Sequence, residues 1–237
     1  MAEEPVPAEI ARAQLNSFHY LYQDAEWFRS LAFTQPKSFD EVRICRTGIL
    51  LYVFSLEALV NRALAEFVAD PLRTFLLERE DSFSLQDKWL LLPMLAREDR
   101  PETFDKGKYP FSHFCELVLL RNDFVHPKSD RTAFYRVLLN KNIEPLDWNR
   151  IPEDSGIRET DIVYRQTRLP RDPYSLQAEH VDRVKKIVDD LIAELDRLLD
   201  GRLREANWLH NETWKAAYPA GSVFAPRPGG PAEGGAA

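Results

Sequence analysis

FDEVRICRTGILLYVFSLEALVNRALAEFV, residues 39–68, holds no proline and a single glycine, and its apolar content is too dense for a helix wetted along one side. It is therefore predicted to be one long central helix, buried on more than one face. Ser38 stands just before it and Glu41 three residues further on, the S-x-x-E spacing of a capping box that satisfies the first free amides. Asp70-Pro71 ends it, because proline has no amide hydrogen and crowds the preceding turn.

Around this helix the pattern stays helical. From Ala11 to Ala32, Leu15, Phe18, Tyr22 and Ala25 recur every three or four residues, with Leu21, Phe28 and Leu31 widening the face, until Gln35-Pro36 interrupts. Further helices are predicted over Leu72–Arg79, over Ser84–Ala96 with Pro93 in its last turn, and over Phe111–His126, where Pro127 turns the chain out of helical geometry. REDRPETFDKGKYP, residues 97–110, is charged and broken by proline and glycine, as an exposed loop is. Residues 175–204 carry Val181, Val184, Ile187, Val188, Leu191, Ile192, Leu195 and Leu198, an amphipathic helix.

Between them, residues 140–173 hold prolines at 145, 152, 170 and 173, and one short strand is expected at DIVYRQTR, residues 161–168. A loop of that length in a compact domain is expected to be functional, folded as a hairpin, or mobile. The fold class is all-α, a bundle of five or six helices with almost no strand. Residues 1–36 form an N-terminal extension with one helix and a frayed start. Residues 37–206 form the helical domain, with 140–173 inserted before its last helix, and residues 207–237 end in a tail of disordered composition.

Composition removes several function classes. A net charge of -7 argues against a broad electrostatic grip on nucleic acid, which needs many Lys and Arg contacts to phosphate. Cys45 and Cys115 offer neither a disulfide framework nor metal-ligand spacing, and His19, His113, His180 and His210 have no partners at such spacing, so no metal is expected. No glycine-rich phosphate loop occurs, and no cofactor is expected. The start lacks the features of a signal peptide and no uninterrupted apolar run reaches spanning length, which predicts a soluble, cytoplasmic protein without a membrane partner.

RNDFVHPK, residues 121–128, places an arginine, an asparagine and a histidine at the end of an oily helix. On a wheel of about 100° per residue, Phe111, Phe114, Cys115, Val118, Asn122 and Val125 share one stripe with Asn122 near its centre, and Leu117, Leu120 and Phe124 make a second apolar side. Only Ser112, Glu116 and Asp123 fall on a wet arc. A helix oily on two sides has two partners: its own bundle, and the same helix of a second chain in a two-fold dimer. Arg121 and His126, five residues apart, lie roughly 140° apart on a straight helix and meet only if the helix end unwinds or a second chain supplies one of them. The structural alternative is that Asn122 bonds neighbouring helices, Arg121 pairs with a carboxylate and His126 faces the helix dipole.

Arg121-Asn122-Asp123-Phe124-Val125-His126 resembles the R-x-x-x-x-H motif of the HEPN superfamily, helical bundles of which many are metal-independent ribonucleases. A polar residue after the arginine, here Asn122, belongs to that pattern, and Pro127-Lys128 is common after it. SLEALVN, residues 55–61, is similar to the first conserved helix of several prokaryotic HEPN families, and SLQDKW, residues 84–89, resembles the short segment that often follows. The resemblance covers about residues 39–200. The loop at 140–173 is long for a minimal HEPN domain, and no partner domain accompanies it.

The resemblance implies a homodimer that cleaves RNA by attack of a 2′-hydroxyl on the adjacent phosphorus, leaving 2′,3′-cyclic phosphate ends, in a toxin or defence role with an antitoxin or other protein partner. His126 is then the acid or base, Arg121 the stabiliser of phosphate charge, and Asn122 the residue that orients the imidazole or binds the phosphate. Glu57, Asn61 and Asp123 are supporting candidates, with a Glu57–Arg121 ion pair as the structural reading of Glu57. Lys128 and Arg131 are expected on an RNA-facing rim, extended by the basic residues of RETDIVYRQTRLPRD. The rival class is a catalytically silent dimeric scaffold that binds RNA, nucleotide or a protein.

Overall fold

The computed structural model describes residues 16–36, 38–79, 82–97, 101–126, 134–137, 143–145, 151 and 153–206. Among them it has eight α-helices: α1 Ser17–Ala32, α2 Phe39–Phe67, α3 Leu72–Glu78, α4 Leu85–Ala96, α5 Phe111–Val125, α6 Glu159–Ile162, α7 Ala178–Leu198 and α8 Arg202–Glu205. The protein is all-α, with one antiparallel hairpin of β1 Tyr135–Val137 and β2 Ile143–Pro145.

Helix α2 is the axis. Cys45, Ile49, Tyr52, Val53, Leu56, Leu59, Val60 and Ala63 are buried against α1, α4, α5 and α7. It is also long and apolar enough to span a bilayer by length and composition alone, with an 18-residue window averaging 1.4 in hydropathy, but 56% of that window is buried inside the bundle, as in a core helix. Helix α1, from the N-terminal extension, contributes Phe18, Ala25 and Ala32 to the same core. Ser38 caps α2 by accepting the Glu41 amide at 3.0 Å, while the Glu41 carboxylate crosses to the start of α7 and accepts the buried Ala178 amide at 2.9 Å. A complete capping box opens α4, where Ser84 and Asp87 each accept the other's backbone amide.

Three expectations are corrected. DIVYRQTR is not a strand: Asp161 and Ile162 close α6, Val163 pairs singly with Pro170, and Tyr164 to Leu169 form a turn closed by backbone bonds in both directions. The expected helix over 175–204 is broken, because Gly201 takes a left-handed φ of 82° and the buried Asp196 carboxylate accepts the Leu203 and Arg204 amides to start α8. The wet arc of α5 is not simply wet: Glu116 accepts both the Gln166 and Thr167 amides, and Asp123 accepts the Tyr164 hydroxyl, so the late part of the long loop is fastened there.

Candidate functional site

Arg121 lies in the last turns of α5, and its guanidinium crosses to α2. Nη2 donates to Glu57 Oε2 at 2.8 Å, Nη1 donates to Asn122 Oδ1 at 3.1 Å, and the guanidinium carbon lies 5.8 Å from the centre of the Phe54 ring. The Arg121 side chain is 18% exposed and that of Glu57 38%, so the pair sits at the partly exposed edge where α5 meets α2 rather than in the core. The Nε of Arg121 is shielded from solvent and has no hydrogen-bond partner. Phe54, which shapes one wall beside the guanidinium, was not legible as a site residue; its position one turn before Glu57 on α2 was the available signal.

His126 is the C-terminal cap of α5, with φ -122° and ψ 67°, and its amide still closes on the Asn122 carbonyl at 2.8 Å. The backbone has left the helix at this residue. Its exposed side chain has no hydrogen-bond or ion-pair partner among the described residues, so no such bond joins it to Arg121 within the chain. Asn122 is exposed, not at the centre of a buried stripe. The first half of that stripe, Phe111, Phe114 and Val118, is core, whereas Asn122 and Val125 lie beyond what the bundle covers.

The supporting residues divide. Glu57 engages Arg121 directly. Asn61, one turn further along α2, accepts a hydrogen bond at 3.0 Å from the buried Lys88 ammonium of α4. Asp123 is two residues from Arg121, roughly 200° around the helix, and ties down Tyr164 instead of facing the site. Lys128 and Arg131 lie outside the described residues. The basic extension of the rim is largely spent on local contacts: Arg158 pairs with Asp161 at 2.9 Å, Arg168 pairs with Glu159, and Arg171 packs over the Tyr164 ring.

The other reactive groups are quiet. Burial pushes the Cys45 thiol up to about 12 and also raises Cys115, which keeps both protonated at neutral pH. Burial lowers His113, whose ring packs edge-on against Tyr109. No group of three or more potential metal ligands occurs among the described residues.

Next to the site the surface is apolar. Val125 of α5, roughly 40° from Arg121 around the helix, is 43% exposed, and Leu51, Phe54 and Ala58 of α2 are only partly covered. Comparison of the chain with known protein families, curated proteins and solved structures finds no match.

Proposed function

We propose that this protein is a metal-independent endoribonuclease of HEPN type, acting as a two-fold homodimer. One observation carries the reading: Arg121 is pinned by Glu57 at the partly exposed seam of α5 and α2 while the unpartnered imidazole of His126 stands at the exposed end of the same helix. Two copies paired through Val125 and the open side of α2 would bring the arginines and histidines of both chains into one cleft. In that cleft an imidazole removes the 2′-hydroxyl proton of the bound RNA. The 2′-oxygen forms a bond to phosphorus, and the bond from phosphorus to the 5′-oxygen breaks. The leaving oxygen takes a proton from an imidazolium, which leaves a 2′,3′-cyclic phosphate and a 5′-hydroxyl.

Arg121 holds the non-bridging phosphate oxygens as their charge grows, and Glu57 keeps its fork aimed. A non-catalytic scaffold is the second reading. It is favoured by the fact that Arg121 already holds two protein acceptors, Glu57 and Asn122.

The test is incubation of a mixed RNA pool with purified protein in EDTA, beside His126→Ala and Arg121→Ala variants of unchanged oligomeric state. Cyclic-phosphate ends that form with the native protein and vanish with both variants support the ribonuclease. Absence of cleavage, or cleavage that survives both substitutions, favours the scaffold.

A further inference from the structure

The first turns of α2 carry an aromatic and basic patch that the proposed chemistry does not use. Phe39 and Tyr174 are each 54% exposed, and their rings stack at 6.1 Å with 16° between planes. Arg43 lies 4.5 Å from the centre of the Phe39 ring and Arg46 5.5 Å from that of Tyr174. Tyr135, on β1, adds a third exposed ring beside the same turn: after burial, the Asp172 carboxylate is the next cause that holds its phenol above the ordinary range. Asp172 also fixes Tyr174 in place by accepting its amide at 3.0 Å. Two half-exposed rings are thus braced by backbone and guanidinium contacts instead of being buried.

The charges beside those rings are largely uncommitted. Among the described residues Arg46 makes no ion pair, and Arg43 makes only a solvent-exposed contact of 3.4 Å with Asp40. The same turns carry Asp40 and Glu41, and Asp172 stands beside the rings, so the two guanidiniums act here as stacking groups and local donors and not as a positive field. The patch is also in line with the site. Phe39, Arg43 and Arg46 precede Glu57 on one unbroken helix by 18, 14 and 11 residues. At about 100° and ~1.5 Å per residue, all three fall within about 40° of Glu57 around α2 and roughly 16–27 Å along it.

We infer that Phe39, Tyr174, Tyr135, Arg43 and Arg46 form a stacking platform for the bases of single-stranded RNA, which runs along α2 toward Glu57 and Arg121. This rests on the ribonuclease reading for its direction but not for its binding chemistry. Aromatic faces accept any unpaired base, guanidinium planes extend the stack, and their charge meets the phosphates, whereas a duplex keeps its base faces inside. The paired ring and guanidinium planes select RNA over a purely apolar protein ligand, because such a ligand has no use for Arg43 and Arg46, whereas each can stack on a base and donate to a phosphate.

The experiment is fluorescence anisotropy of a labelled 2′-O-methyl RNA of about 12 nucleotides, a length within the range such surfaces cover. The probe lacks the attacking hydroxyl, so binding is read apart from cleavage. The native protein and Tyr174→Phe are expected to bind alike. Tyr174→Leu, which keeps an apolar side chain but no ring face, should weaken binding on the order of tenfold. Arg46→Gln should lower the slope of log K against log salt by about 0.7.

Binding that responds in this way while unmodified RNA stays uncleaved supports the platform and removes the ribonuclease reading. No binding by the native protein, or equal binding by a folded Tyr174→Leu variant, overturns the platform and leaves the patch to a protein partner.

Discussion

Replacing Glu57 by alanine and Arg121 by methionine should have unequal effects, although the two residues form one ion pair. Glu57→Ala leaves a guanidinium whose side chain is 18% exposed, whose Nε is already shielded without a partner, and which then loses its carboxylate. Removing one partner costs little for a surface pair and about 3–5 kcal/mol for a buried one; this geometry falls between, at about 2 kcal/mol. Arg121→Met removes the charge but keeps an unbranched stem against Phe54, and it strands a carboxylate that is 38% exposed and can hydrate, for about 1 kcal/mol or less.

The difference reads as a lower urea midpoint for Glu57→Ala than for Arg121→Met at equal protein concentration, with the slope unchanged. The double variant should behave like Arg121→Met alone, since there is no longer an arginine to strand. Both single variants should lose RNA cleavage. If Arg121→Met proves as damaging as Glu57→Ala, or if both lie within ~0.5 kcal/mol of the native protein, the pair is a solvated contact and Glu57 does not position Arg121.

Three further outcomes are expected. Val125→Glu should change the stability of the isolated chain by no more than ~0.5 kcal/mol, since this side chain is 43% exposed, yet convert the proposed dimer to monomer by light scattering and abolish cleavage. Glu116→Ala orphans the amide of Thr167, a residue 1% exposed, and should cost about 2–3 kcal/mol in urea unfolding. Cleavage per folded molecule should persist in that variant, because Glu116 lies roughly 140° from Arg121 around α5.

Acid should weaken the fold through His180, whose Nδ1 accepts the Gln177 amide at 2.9 Å and which burial, then the Arg183 charge, pushes down to about 4. The unfolded histidine protonates near ~6.5, so between that pH and about 4 the unfolded chain binds more protons and stability falls as pH drops. Urea midpoints of the native protein should therefore decline more steeply over this window than those of His180→Gln.

The helices were legible because their signals are local. The apolar density of residues 39–68 and the cap at Ser38 place α2, and the stripe from Val181 to Leu198 places α7. What the sequence hid depends on distant partners. Ile162, Val163 and Tyr164 have the side chains of a strand, but the turn they enter is held by Glu116, some fifty residues earlier in the chain. Glu41 has the spacing of a capping box, yet its carboxylate serves the start of α7 across 137 residues. The Glu57–Arg121 contact could be named as an alternative from residue type alone. Its position at the rim depends on where α5 runs past the rest of the bundle.

That position bears on whether Arg121 is spent or available. A guanidinium has five N–H donors, and two of them are given to Glu57 and Asn122, one from each terminal nitrogen. The second hydrogens of both terminal nitrogens and the shielded Nε–H remain, so the pair fixes the plane of the fork without exhausting it. A fully buried pair would be closed to phosphate, and a fully solvated one would be weakened by water at the moment charge develops. A pair of intermediate exposure meets both conditions only if something covers it while the phosphate is bound. The exposed Val125 beside it supplies the surface on which a second copy would do so. Cleavage that depends on protein concentration in the range where the dimer dissociates is therefore the kinetic signature that separates this arrangement from a site complete within one chain.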